Sequence, residues 1–526
     1  MVAESKDQKI TYTTMSVEQA ESFNTHFDEA LGRVTSELGQ PYPIYIDGRA
    51  VQTDRPTFES RSPNDTRMIL GSFQEARHAE AVAAVGVATR AFEGWSRTPW
   101  QERIAIMRRA AENFRSRKYD IGALLALEAG KARLEAMGEV EEAADLITTY
   151  CDQMEGRNGF DIEMSRLTDR EVNHSLLRPF GVWVVIAPFN FPIALATGML
   201  AGALIGGNTV VFKPSSETPL AGINVYRCLT DAGLPDGVVN LLTGAGNETG
   251  EALSSQDGLA GIAFTGSKAV GFQIDREFRR NGPRPVIAEL GGKNPVIVTN
   301  AADLNKAVEG TARAAFGYSG QKCSAASRVY VQTGVAEEFV QKLAHRTEQM
   351  KVGNPVDAGA FTGPVINERA YLRFQEACRV AASDGQILTG GSVLNDGPLA
   401  HGYYCGLTLA ALPADHRFFY EELFVPLLSI ARVESLREGL ERANDSEYGL
   451  TAGLFSEDLQ EQQTFLQQIE AGVVYVNRRA GATTGAWPGV QSFGGWKASG
   501  STGKSALGFY YIQQFMREQN QTVVSD

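Results

Sequence analysis

The sequence predicts an α/β protein whose two domains share a cleft, with a third, extended element outside both. Three observations predict it. At 526 residues the chain exceeds what one compact core accommodates. Short apolar runs at 182–187, 209–212, 239–242 and 262–265 each lead into a turn and a helical segment, the alternation of a parallel sheet with crossover helices. A second series follows at 295–298, 329–332, 426–431 and 473–476, with helices between at 336–350 and 368–383. The two series divide near 285–293, and α/β folds bind ligands in such clefts.

Ahead of the first series, residues 17–38 carry apolar positions at helical spacing and stop at Gly39-Gln-Pro-Tyr-Pro43, which predicts a helical arm. Residues 76–95 and 101–117 are Ala-rich with apolar positions three and four apart, so two amphipathic helices are expected, and a third at about 131–154. Segments 160–177 and 509–524 are extended in character and fit neither domain. Either they pair as a flap that reaches another subunit, or they form a surface hairpin and a tail.

A formal net charge of -13 with no long basic run sets nucleic acid and anionic membranes aside as partners. The polar N-terminus lacks the apolar centre of a secretory signal. The longest apolar stretch, 193–211, is interrupted by Gly202, Gly206, Gly207 and Asn208, so no membrane span is expected. Five cysteines, at 151, 228, 323, 378 and 405, are odd in number and form no CxxC pair. Reduced thiols in a cytoplasmic protein are expected, with no disulfide framework and no metal site.

One of those cysteines stands apart. Cys323 lies in GYSGQKCSAASR (317–328), where small neighbours leave room for a substrate and Lys322 is placed to stabilise a thiolate. Glu289 ends an apolar run and precedes two glycines in VIAELGGKNP (286–295), a position where desolvation raises a carboxyl toward the range of a general base. A strand-end Glu that caps or pairs locally is the alternative. Asn190, in APFNFP (187–192) directly after a strand, offers either an amide to an oxyanion or an ordinary turn residue. TGAGNETG (243–250) misses the dinucleotide fingerprint by one residue of spacing and reads as a strand-to-helix turn.

Taken together and in order, PFNFP, VVFKPSSETP, FTGS, ELGGKNP, GQKCS, EELFVP and FGGWKASG resemble the aldehyde dehydrogenase superfamily across nearly the whole chain. The resemblance implies an aldehyde dehydrogenase-like fold. A Rossmann-type NAD(P)-binding domain would comprise 41–157 and 179–287, after an arm at 1–40, and an α/β catalytic domain 288–475. A β-flap oligomerisation element would comprise 158–178 and 500–526, in a homodimer or higher homo-oligomer.

It implies Cys323 as nucleophile, Asn190 with the Cys323 N–H as oxyanion hole, and Glu289 as the base that activates water. For the cofactor it implies Lys213 on the adenosine ribose, Ser267 at the pyrophosphate and Glu422 and Phe424 at the nicotinamide, with Ile186 and Pro188 lining the site. Ser216 stands where NAD-preferring relatives often carry Glu, so NAD is expected and NADP is left open.

Within the superfamily the chain is most similar to the 1-pyrroline-5-carboxylate dehydrogenase group, on ELGQPYPIYIDG (37–48), GQKCSAASR (320–328) and the spacing of 477–495. This similarity implies L-glutamate γ-semialdehyde as substrate. Ser324, Gly485 and Ala486 would hold its α-carboxylate, with Phe191 and Phe493 on its aliphatic part. The group's acidic residue on helix 131–154 is matched to Asp145, while Pro488 and Ser492 depart from its pattern. The alternatives are another semialdehyde, a hydrophobic aldehyde that uses Trp487, or a CoA-acylating enzyme.

Overall fold

The computed structural model describes residues 17–55, 57–479, 487–504, 506 and 508–525. Gly485 and Ala486 lie outside the described residues.

Two seven-stranded sheets organise the chain. In the first, the order runs Val286–Glu289, Leu259–Thr265, Val182–Ile186, Thr209–Lys213 and Val239–Leu241, all parallel, extended by the antiparallel strands Ile44–Ile46 and Arg49–Val51. Strand Val182–Ile186 continues to Thr209–Lys213 on one side and neighbours Leu259–Thr265 on the other, so a topological switch point lies at its carboxyl end. The second sheet runs Gln386–Thr389, Thr408–Ala411, Leu427–Val433, Ala326–Gln332, Asn294–Val298, Thr451–Phe455 and Val473–Val476. It is parallel except for its first pair. Its switch point lies at Asn294–Val298, the strand that follows Glu289.

Apolar side chains from both faces of each sheet pack under helices. Trp183, Val185, Val210 and Phe212 face the helices Trp100–Ser116, Arg133–Gly156 and Ala194–Ile205, while Val182, Val184 and Val211 face the helix His78–Trp95. The strands are buried on both sides, which is why they read as continuous apolar runs rather than alternating ones.

The sequence reading missed the helix Lys118–Glu128 and the strands Gln40–Tyr42, Thr57–Arg61 and Ile69–Gln74. The helix is buried almost all round and carries no amphipathic period. The arm Val17–Ser36 packs Phe23, Phe27 and Ala30 against Ala123, Ala126 and Met137.

The two extended segments do pair. Strand Glu171–Pro179 lies between Asp161–Met164 and Met516–Val524, antiparallel to both, in a three-stranded sheet. Residues Ile512–Phe515, expected in the flap, pack instead against the first domain, with the Phe515 ring 4.6 Å from Trp183. Buried Asn208 fastens this junction: its Oδ1 accepts from the N–H groups of Phe180 and Gly181, and its Nδ2 donates to Ala203 and Phe515 carbonyls. Asn208→Ala leaves four backbone groups, three of them buried, without that partner, and a loss of about 3 kcal/mol is expected in urea unfolding.

Candidate active site

The Cys323 loop begins in a strained turn. Tyr318 and Ser319 both adopt left-handed backbone angles, φ 51° and 53°. The surroundings over-determine them: Tyr318 OH donates to the Ala129 carbonyl at 2.6 Å, and Ser319 bonds Thr362 Oγ1 and the Gly363 carbonyl. Gly320 follows at φ 70°, where a Cβ would lie 2.7 Å from the Val425 carbonyl oxygen.

Every residue beside Cys323 is then fixed. Gln321 accepts Ile366 N–H and donates to the Pro364 carbonyl, and Asn294 Nδ2 donates to the Cys323 carbonyl at 2.7 Å. Cys323 is partly exposed, whereas the other four cysteines are buried. Desolvation, with the carboxyls of Glu422 and Glu289 nearby, pushes its thiol up to about 12. Lys322 does not offset this. Its amine turns away and pairs with Glu135, so the expected thiolate partner is a structural ion pair.

Asn190 approaches the same loop. Its Nδ2 donates to the Gln321 carbonyl at 3.1 Å, two residues from the nucleophile, and the side chain is buried. A primary amide carries a second N–H. Glu289 ends the strand Val286–Glu289, hydrogen-bonded across to the segment Ser499–Ser501. Burial lifts its carboxyl to about 8, with backbone N–H groups of Gly495 and Ala506 opposing, and among the described residues Oε2 has no hydrogen-bond partner. The geometry thus places a thiol, a neutral carboxyl and an amide around one loop.

The helix Arg133–Gly156 holds this arrangement from behind. Glu139 Oε1 accepts the N–H groups of Ile193 (2.7 Å) and Ala194 (3.2 Å), just after Asn190, and its other oxygen pairs with fully buried Lys131. Lys131 Nζ sits 3.5 Å over the Phe191 ring and 4.9 Å over Tyr318. Sequence reading missed Lys131, Glu135 and Glu139. A signal was present: Glu139 interrupts the apolar stripe Ala132, Ala136, Ala143, Ile147.

Asp145, matched from sequence to a substrate-site acid, is engaged with Arg115 and the Trp487 indole. Glu142, one turn earlier, has no hydrogen-bond partner among the described residues. Burial and Glu139 raise its carboxyl to about 8, and Lys131 and Lys322 lie within electrostatic reach.

A model of the aldehyde dehydrogenase family matches residues 50–520. The chain belongs to the aldehyde dehydrogenase family. A 1-pyrroline-5-carboxylate dehydrogenase of Geobacillus sp. is 36% identical over 493 residues, 92% of this chain and 94% of that one. The solved 1-pyrroline-5-carboxylate dehydrogenase from Thermus with bound NAD superposes with TM-score 0.93 at 34% identity, covering 100% of both chains. Betaine aldehyde dehydrogenase from Staphylococcus aureus with NAD⁺ gives TM-score 0.88 at 27% identity over 95% of this chain and 97% of that one.

The groups along the first sheet's carboxyl edge suit a dinucleotide. Buried Lys213 ends its strand with Nζ on the Pro214 carbonyl at 3.2 Å, and burial lowers the amine to about 8. Ser267 caps the helix Lys268–Phe278, whose N-terminus favours phosphate. Glu422 Oε1 accepts Gly292 N–H at 2.9 Å, and a Cβ on Gly291 would lie 2.2 Å from its carboxylate, so a larger residue there would displace Glu422. Phe424, at φ 58°, sets its ring edge-on to Phe189 at 5.9 Å. Ile186 and Pro188 are half-buried at the strand end between these groups, as is Ser216. Glu217 accepts a hydrogen bond from Asn367 Nδ2 at 2.9 Å. Ser324 is buried beside the nucleophile, and half-buried Phe493 pairs with Ala506.

The raised Glu289 carboxyl has a consequence for stability. The folded state keeps the proton up to about pH 8, while an unfolded chain releases it near the ordinary 4.5. Glu289 therefore favours the fold below pH 4.5, and this contribution is lost as pH rises to 8. The melting temperature of Glu289→Gln should gain on that of the wild type through this window, as read by differential scanning fluorimetry.

Proposed function

We propose that the protein oxidises L-glutamate γ-semialdehyde, the open form of 1-pyrroline-5-carboxylate, to L-glutamate with NAD. The observation that carries this reading is the partly exposed Cys323 thiol on the loop that Asn190 bonds, near a buried Glu289 whose Oε2 has no hydrogen-bond partner among the described residues. The family membership and the names of the relatives support the substrate.

In this mechanism Cys323 Sγ loses its proton and bonds to the aldehyde carbon. The carbonyl becomes an oxyanion, held by the second Asn190 N–H and the Cys323 backbone N–H. Collapse of the oxyanion expels the hydrogen with its electron pair and leaves a thioester on Cys323. NAD, when bound, supplies the hydride acceptor. Glu289, ionised as pH approaches 8, takes a proton from water, whose oxygen attacks the thioester. The carbon–sulfur bond breaks, and glutamate leaves with the thiolate restored.

For the cofactor, Lys213 would hold the adenosine ribose, Ser267 the pyrophosphate, and Glu422 with Phe424 the nicotinamide riboside. With Ser216 at the discriminating position and Glu217 engaged by Asn367, a 2′-phosphate meets no free carboxylate there, so NADP is also admitted.

For the substrate, Ser324 with Gly485 and Ala486 would receive the α-carboxylate, and Phe191 and Phe493 the methylenes. Glu142 supplies what this assignment lacked, a carboxyl for the α-ammonium, and an ammonium would draw it into its ionised form. The flap sheet, whose strands expose Ile162, Met164, Val523 and Val524, would pair with a second copy. No helix among the described residues is long and apolar enough to cross a membrane, and a cytoplasmic site suits five unpaired thiols.

Formation of NADH from glutamate γ-semialdehyde should vanish in Cys323→Ala and fall about 100-fold or more in Glu289→Gln. Full activity in Cys323→Ala would overturn the mechanism. Glutamate as product without added coenzyme A separates hydrolysis from acyl transfer. Glu142→Gln should raise KM for glutamate γ-semialdehyde about tenfold and leave that for succinate semialdehyde, which has no amine, unchanged.

A further inference from the structure

The helix that follows Lys213 is capped by a residue from elsewhere in the fold. Thr218 stands at the N-cap of the helix Pro219–Thr230, yet it makes no cap hydrogen bond, and among the described residues its buried Oγ1 has no partner. Two N–H groups at the helix start are taken instead by Glu128: Leu220 donates to its Oε1 at 2.7 Å and Ala221 to its Oε2 at 2.8 Å. Glu128 is fully buried, and among the described residues it pairs with no cation. Its own helix, Lys118–Glu128, is fixed at that end. The Ala126 carbonyl accepts Asn64 Nδ2 at 2.8 Å, and the Leu127 carbonyl accepts Ser62 Oγ at 2.6 Å.

From this cap a run of contacts leads back to Lys213. Gly222, in the first turn of the helix, packs so closely on Pro214 that a Cβ there would lie 2.3 Å from the proline ring. Lys213 Nζ donates to the Pro214 carbonyl at 3.2 Å. The residues between close into a tight turn, with Thr218 N–H on the Ser215 carbonyl and Glu217 N–H on Ser215 Oγ, both at 3.2 Å. The segment 213–222 is thus closed on itself, held at one end by the strand Thr209–Lys213 and at the other by Glu128. We propose that Glu128 is a positioning residue for the adenosine end of the dinucleotide: it holds the helix start against which Pro214 packs, and so keeps the Lys213 amine where the ribose takes it. The proposal rests on the reading that Lys213 holds the adenosine ribose.

A helix start presents free N–H groups and the positive end of the helix dipole, so a carboxyl set against two of them both satisfies and orients them. In a dry interior this contact is exacting, because an N–H left without an acceptor has lost its hydration for nothing. A glutamine at 128 keeps one acceptor oxygen and turns an amide NH2 toward the second N–H, so the helix start must move. The movement reaches Pro214 through Gly222, where there is no slack. Cys323, Glu289 and Asn190 stand on other segments, so the effect falls on cofactor binding and spares the chemical step.

The test varies NAD at saturating glutamate γ-semialdehyde on the full-length enzyme. Glu128→Gln should raise KM for NAD about tenfold, the loss of one buried hydrogen bond, with kcat and KM for the semialdehyde unchanged. AMP, which competes for the adenosine end alone, should lose affinity by the same factor, and nicotinamide mononucleotide should not. Gly222→Ala drives a methyl into Pro214 and leaves the Glu128 carboxyl in place, so it too should raise KM for NAD, and it carries the test if Glu128→Gln fails to fold. An unchanged KM for NAD in either variant overturns the proposal. So does a parallel rise in KM for the semialdehyde or a fall in kcat, which marks a general structural role. Lys213→Met reads the underlying assignment: an unchanged KM for NAD there overturns the cofactor reading of Lys213, and the proposal with it. A rise in Lys213→Met without one in Glu128→Gln overturns the positioning role alone.

Discussion

The buried ion pair between Lys131 and Glu139 is the constraint on which the rest of the site depends. Two charges taken out of water are costly unless each finds further polar partners. Here they do. Glu139 accepts two backbone N–H groups from the loop after Asn190, and Lys131 lies against the faces of Phe191 and Tyr318. The same helix supplies Glu135 to Lys322, beside the nucleophile. One rigid element thus fixes both the oxyanion loop and the cysteine loop, and the charges that would otherwise destabilise the core become the means of registering one loop against the other. Hydrophobic residues of equal volume would fill that space but would leave the N–H groups of Ile193 and Ala194 unpaired.

Desolvation tunes the reacting groups more than any single charge partner. It is the largest cause of the upward displacement of Glu289 and Cys323 and of the downward displacement of Lys213. In each case burial penalises the charged form. A neutral thiol beside a neutral carboxyl is a resting state that avoids two like charges at one loop.

The residues singled out along the first sheet's carboxyl edge were legible because each sits at a strand end within a short motif. Asn190, Lys213, Ser267 and Glu289 all follow apolar runs of the first sheet, where a period of two or an unbroken run makes the strand legible. Side-chain direction was not legible. Lys322 adjoins Cys323 in the chain yet faces the opposite way, toward Glu135. Asp145 and Glu142 are close to one turn apart on one helix, and only the positions of Arg115 and Trp487 decide which of them is engaged. The helix Lys118–Glu128 escaped because burial on all sides erases amphipathic contrast. The flap register, with Met516 opposite Pro179 and Val524 opposite Glu171, depends on two segments more than three hundred residues apart, and no local pattern encodes it.

The two domains meet through polar side chains at their sheet ends, alongside the Phe189–Phe424 ring contact and Tyr318, which packs into the first domain's core. Across the cleft run the Glu422–Gly292 bond, the Glu217–Asn367 bond and the backbone pairing of Ser499 and Ser501 with the Glu289 strand. Asn294 adds a fourth stitch inside the second domain, binding the carbonyls of Cys323 and Ala325 while its Oδ1 accepts Thr451 N–H. Such contacts are directional, whereas apolar packing tolerates sliding. A reaction that needs a sulfur on one domain and a base on the other within bonding reach of one carbon requires that directionality. This accounts for side-chain amides and carboxylates at the cleft beside the aromatic contacts.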